Sequence, residues 1–202
     1  LALSTASLVL TRPERVAAAL PPAAAEAVAE IERYLDGLRT LRARFQQIAP
    51  DGALASGTVM LRRPGKLRFD YDPPSRVLVV ATDWRLIFQD ASVKQINVIP
   101  LSQTPLGFLL AERIRLSGEV TVTDVIERGA EIAIRLIRTA EPDQGAITVV
   151  FGRWPTELRR WSVVDAQNLT TQIILDRLEA NVPLPSDLFV WRDPQLFGWP
   201  GG

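Results

Sequence analysis

The side chains able to do chemistry in this 202-residue chain are carboxylates and guanidinium groups, because it contains no histidine and no cysteine. Serine–histidine and cysteine–histidine nucleophiles are therefore excluded, and so are imidazole and thiolate metal sites. Disulfides are excluded too, which leaves the compartment open, since exported proteins need not carry them. The acidic residues show no paired spacing suited to acid–base work or to a metal, and Gly57, Gly65 and Gly107 form no phosphate-cradling pattern. An esterase or glycosidase on this chain would lack its working parts. Lys+Arg and Asp+Glu balance at 23 each, which argues against nucleic acid as a partner, because phosphate binding draws on a net basic surface. No cofactor is implied. Lysine occurs only at 66 and 94, so guanidinium, with its five N–H donors, is the positive group to follow.

One guanidinium stands in the stretch Gly57–Tyr71, GTVMLRRPGKLRFDY. Val59 and Leu61 share one face of a first alternating run, and Leu67, Phe69 and Tyr71 share one face of a second. Arg63-Pro64-Gly65 joins them. Strand side chains alternate, so each run has a greasy face and a wet face. The greasy face suits a cavity wall or plain core packing, and the same two readings apply to Trp84, Phe88 and Phe108. Arg63 is either a solvated charge that blocks edge-to-edge pairing or a donor aimed at a neighbouring backbone.

A helix is expected from Ala23, with Ala24, Val28, Ile31 and Leu35 on one stripe and Gly37 as its stop. It packs on the core, and a sharper reading has it cover the mouth of a cavity. Strands are predicted at 40–49 (where helix continuation is the alternative), 54–62, 66–72, 76–81, 84–89, 93–98, 119–126, 131–138, 145–151, 157–164 and 170–178, with Thr82-Asp83 as a hairpin turn. The rhythm breaks at 100–115. There Thr104 is a possible cap and Pro105 a first helical residue, ahead of Leu106, Phe108, Leu109 and Leu110. A short helix greasy on nearly all sides must be buried or face something apolar. Fold class is thus mainly β with a helical lid (α+β): an incomplete, strongly curved antiparallel barrel of about eleven strands, covered by short helices.

A single domain is expected over 23–193, with a tail at 194–202. Residues 1–22 form an N-terminal extension. Its stretch Leu1–Leu10 is either a signal-peptide remnant, followed by small residues near Ala17–Ala19, or a segment packed on the domain.

In order, Gly57, Arg63-Pro64, Phe69, Pro74 and Phe88, then Thr104-Pro105-Leu106 through Leu110, resemble the LolA family of periplasmic carriers of outer-membrane lipoproteins. Phe45-Gln46-Gln47 is similar to the family's first strand, and NVPLPSDLFVWRDP to its final strand region. The resemblance runs from about 35 to 193. It implies a half-open barrel closed by a lid over a hydrophobic cavity for acyl chains. It implies acylated lipoproteins as cargo, an inner-membrane ABC transporter (LolCDE-like) as donor, an outer-membrane acceptor (LolB-like or of another kind), a monomer and a periplasmic location. Val59, Leu61, Leu67, Phe69, Tyr71 and Phe88 would line the cavity. Leu106, Phe108, Leu109 and Leu110, with Val28, Ile31 and Leu35, would form the lid. Arg63 matches the arginine that bonds to the lid and keeps the empty cavity closed. Many relatives carry a tryptophan in the strand after the corner, and this chain has none there.

Carriage of lipid fits the physics, because each acyl CH₂ gains ~0.8 kcal/mol on leaving water. A lid that fills its own cavity when empty and moves out when cargo enters is a two-state element biased by ligand. Arg63 is expected against the backbone of Thr104–Arg115, with the Leu67/Phe69/Tyr71 face beneath the lid leucines. The alternative on the same fold is a carrier or sensor for another amphiphilic lipid.

Overall fold

The computed structural model describes residues 20–104 and 106–199. The expectations for residues 1–19, for Pro105 and for residues 200–202 fall outside the described residues. A helix α1 (Pro22–Gly37) leads into eleven antiparallel strands in one sheet. The first six are β1 (Thr40–Ile48), β2 (Leu54–Arg62), β3 (Lys66–Tyr71), β4 (Val77–Thr82), β5 (Arg85–Asp90) and β6 (Gln95–Pro100). The others are β7 (Val120–Arg128), β8 (Glu131–Arg138), β9 (Ala146–Arg153), β10 (Thr156–Val164) and β11 (Thr170–Ala180).

The strand order is β6-β5-β4-β3-β2-β1-β11-β10-β9-β8-β7. Each half is a meander of hairpins, and β1 pairs with β11 to join them. The two edges are β6 and β7, which are consecutive in the chain. Residues 101–119 must therefore run from one edge of the sheet to the other. Strand order alone places this segment across the open side.

The sheet curves where extra residues interrupt the pairing. Register slips occur at Arg42/Arg44 between β1 and β11, at Leu158/Arg160 between β10 and β9, and at Val122/Asp124 between β7 and β8. Each such bulge bends its strand and increases the local twist.

The concave face holds the core. Ala43, Phe45, Val59, Leu67 and Phe69 from one half meet Ile134, Val149, Phe151, Trp161 and Ile173 from the other, beneath Ala27, Ile31 and Leu35 of α1. Phe45 stands edge-on to Phe69 (centroids 5.0 Å apart) and to Tyr71 (5.1 Å). This stack needs Gly57, because a Cβ there would lie 2.6 Å from the Phe45 ring and 2.1 Å from the Asp70 carbonyl oxygen. A smaller cluster on the convex face packs Met60 against Leu184 and Phe189. There Arg62 donates to the Leu184 carbonyl and the Ser186 hydroxyl, and Arg68 to the Leu188 carbonyl. These two arginines fasten the C-terminal segment to the sheet.

Two expectations are corrected. Trp84 is not the first residue of a packed strand. It shares the β4–β5 turn with Asp83, both at positive φ (58° and 49°), and its side chain is exposed. Residues 104–115 are not one α-helix. Two 3₁₀ turns, Leu101–Gln103 and Gly107–Leu110, stand in its place. Thr104 donates its hydroxyl and its amide back to the Leu101 carbonyl instead of capping a helix. Beyond the second turn, the amides of Ile114 and Leu116 go to the carboxylates of Asp36 and Glu32 in α1. Those tertiary bonds take the donors that a continuing helix would use.

Candidate functional site

Between the lid segment and the concave face lies a cavity of about 30 Å³, near the size of one water. Leu38, Leu41, Val59, Leu61, Leu67 and Trp161 are among its wall residues, and Leu106, Leu109 and Leu110 form its roof. Among the described residues Arg63 is the one charged side chain in the wall. The small volume means that the roof leucines already occupy the space under the lid. A closed, self-filled pocket results.

Hydrogen bonds around the rim hold the roof down. The Gly65 amide donates to the Leu110 carbonyl at 2.8 Å, and the Arg39 guanidinium donates to the Glu112 carbonyl at 2.9 Å. The Ile114 amide reaches Asp36 at 3.1 Å and the Leu116 amide reaches Glu32 at 2.6 Å. The Asp36 carboxyl is held below its ordinary range first by that Ile114 amide, with burial opposing and Arg39, Arg63 and Arg115 assisting. On its other side α1 is fixed to β10, where the Leu158 amide donates to the Tyr34 hydroxyl and Thr156 donates to Glu30.

Arg63 is buried, 7% exposed. Its expected partner was the 104–115 backbone, and the structure corrects this. Nε donates to the Leu38 carbonyl at 2.8 Å, and Nη2 donates to the same oxygen. Leu38 is the residue at which the chain leaves α1. The corner thus holds both covers: Arg63 grips the end of α1, while Gly65 bonds the lid segment. Burial, then the nearby Arg39, lowers the Arg63 pKa to about 10, with Asp36 opposing. The group stays protonated at neutral pH, so a cation sits in an otherwise apolar wall.

The structure brings Val59, Leu61, Leu67, Leu35, Leu106, Leu109, Leu110 and Arg63 together around one cavity. Phe69 and Tyr71 share the concave face but are absent from the cavity wall. They stack on Phe45, and the Tyr71 hydroxyl donates to Gln47 at 2.6 Å, its pKa raised to about 12 by burial. Phe88 lies two strands out from Phe69 on the same face, through the pairs Phe69–Val79 and Val79–Phe88, and is also absent from the wall. Val28 and Ile31 pack on the core under α1, and Phe108 packs against it from the lid. Phe108 also lines an outer cleft with Trp84, Leu101 and Val120.

Several site residues escaped the sequence reading. Leu158 and Trp161 both face the cavity although three positions apart, because the bulge between Leu158 and Arg160 shifts the alternation. Glu32 and Asp36 are one helical turn apart, beside the buried Ile31 and Leu35. That spacing puts both carboxylates on one side of α1, a signal that was available.

An open antiparallel barrel whose own chain roofs an apolar, self-filled pocket is the class that this fold and site define. The chain belongs to the LolA family: the family model described as outer membrane lipoprotein carrier protein LolA matches residues 36–192. An outer-membrane lipoprotein carrier protein of Dechloromonas aromatica is 31% identical over 178 residues, covering 84% of this chain and 85% of the relative. One from Nitrosomonas europaea is 28% identical over 193 residues, covering 86% and 88%. The crystal structure of a LolA superfamily protein from Nitrosomonas europaea is 12% identical and covers 81% of this chain and 97% of that one, with a TM-score of 0.44.

Proposed function

We propose that this protein is a periplasmic carrier that shields the acyl chains of lipoproteins from water and passes them from the inner to the outer membrane. An inner-membrane ABC transporter would load it and an outer-membrane acceptor would unload it. The carrier binds and makes no bonds of its own. The observation that carries this reading is the apolar cavity filled by the leucines of its own lid and closed by hydrogen bonds at the rim. Such a pocket exchanges one apolar filling for another. Acyl chains entering it replace Leu106, Leu109 and Leu110, and the expelled leucines stay covered by the chains. Carriage without tight retention follows, because the lid competes with the cargo for the same surface.

Sequence relationship supports the cargo class, since the Dechloromonas aromatica and Nitrosomonas europaea relatives are outer-membrane lipoprotein carrier proteins by name. The test is mass spectrometry of lipids that co-purify with the native protein, followed by transfer of a triacylated lipopeptide from donor to acceptor vesicles. Co-purified acylated protein and transfer are expected. A single small lipid species and no lipopeptide transfer would replace this reading with a carrier of another amphiphile.

A further inference from the structure

Arg63 has more donors than its surroundings use. Nε and Nη2 both donate to the Leu38 carbonyl oxygen, which has two lone pairs and is then fully engaged. Nη1 is buried and has no hydrogen-bond partner among the described residues. Among the described residues the rest of the cavity wall supplies no acceptor side chain, because it consists of leucines, a valine and Trp161, whose indole only donates. A hydrocarbon chain entering the cavity would leave Nη1 as it is. A chain that ends in a carbonyl would not.

The position of the group adds direction. Arg63 lies at the β2–β3 corner, next to the Gly65–Leu110 bond and the end of α1, so it stands where the two covers of the cavity meet. From there the wall continues over Leu67, Val59 and Trp161 into hydrocarbon. Around Arg63, Arg39 adds positive charge and Asp36 removes it, two cations against one carboxylate. This end of the site attracts an oxygen that carries partial or full negative charge.

We propose that Arg63 Nη1 binds the carbonyl oxygen at the head of an acyl chain, so that the cavity recognises the acyl group and not merely hydrocarbon. The proposal rests on the carrier reading and deepens it. The shared chemistry is an acyl oxygen, supplied either by an ester- or amide-linked chain of a lipid anchor or by a free fatty acid.

The test measures displacement of the dye 1-anilinonaphthalene-8-sulfonate from the full chain by decane, methyl decanoate and decanoate. It compares the wild type with Arg63→Met, and with Arg63→Lys, which keeps the charge but not the fork. The readout is the ratio of affinities within each protein, which cancels any change in lid closure common to all three probes. In the wild type both oxygenated probes should bind about tenfold or more tighter than decane, as a charge-assisted hydrogen bond implies. The ratio should fall towards one in Arg63→Met, or, if that variant does not fold, drop for methyl decanoate in Arg63→Lys. A wild-type preference for decanoate over methyl decanoate assigns the site to free acids, and equal binding assigns it to esterified chains. An unchanged ratio in the variants, or no wild-type preference while decane still binds, overturns the inference and leaves carriage standing. Failure of all three probes on the wild type removes the carrier reading as well.

Discussion

The Gly65 amide donates to the Leu110 carbonyl across 2.8 Å, so the corner between β2 and β3 is bonded to the middle of the lid. One residue before Pro64, Arg63 holds the Leu38 carbonyl at the end of α1. A three-residue corner therefore fastens two separate covers over one cavity. Opening either cover costs hydrogen bonds at this corner and exposes leucines behind it.

Arg63→Leu tests the corner. In the proposed cycle loading also lifts the end of α1 off Arg63, so the substitution removes two donors from the closed form, at Leu38, and one from the loaded form, at the cargo. The balance moves towards the loaded form. Release of a bound lipopeptide to acceptor vesicles should slow by about tenfold or more, from charge-assisted bonds each worth roughly 1.5–3 kcal/mol. Release at the wild-type rate would show that the corner does not control opening.

Leu110→Ala tests the self-filled pocket. Leu110 is 1% exposed and roofs the cavity. Truncation weakens the lid as a competitor, since large-to-small changes in packed sites cost roughly 2–5 kcal/mol. Affinity for methyl decanoate should rise at least about tenfold in dye displacement. A loss of affinity would mean that Leu110 grips cargo instead of excluding it.

Gly57→Ala tests the floor beneath the cavity. The new Cβ meets the Asp70 carbonyl, which is backbone and cannot move aside without parting β2 from β3. Overpacking of this kind costs about 1–3 kcal/mol, or roughly 2–12 °C in Tm for a chain of this size. Thermal unfolding followed by circular dichroism measures it, and a variant as stable as the wild type would contradict the geometry.

Asp36 gives the lid a pH dependence. Its carboxyl titrates below the ordinary 3.8 because the ionised form accepts the Ile114 amide. The tether is therefore complete above that value and is lost as the pH falls through the lower folded pKa. Protection of the Ile114 amide in hydrogen exchange, corrected for the intrinsic rate, should fall below about pH 4. In Asp36→Asn the protection should be weaker at neutral pH and lack this acid step.

The strands were legible because alternation and turn residues agree with each other. For β8 the expected and observed limits coincide at Glu131 and Arg138. Errors arose where a distant contact decided the outcome. Leu106 to Arg115 has the composition of a helix, yet Asp36 and Glu32, 78 and 84 residues earlier, hold the amides of Ile114 and Leu116. No local window contains that competition. The Arg63 corner was recognisable in sequence as the key position, but its partner was not, since Leu38 lies 25 residues away. The turn at Asp83-Trp84 was misplaced by one residue because a tryptophan at positive φ runs against local preference.

The strap from β6 to β7 also holds chain in reserve for the mouth to gape. Its two 3₁₀ turns span three and four residues, seven together. A 3₁₀ turn advances about 2.0 Å per residue and extended chain about 3.3 Å. Unwinding both turns releases roughly 9 Å of slack. The two free edges gain at least that length of rope while every one of the eleven strands keeps its neighbours.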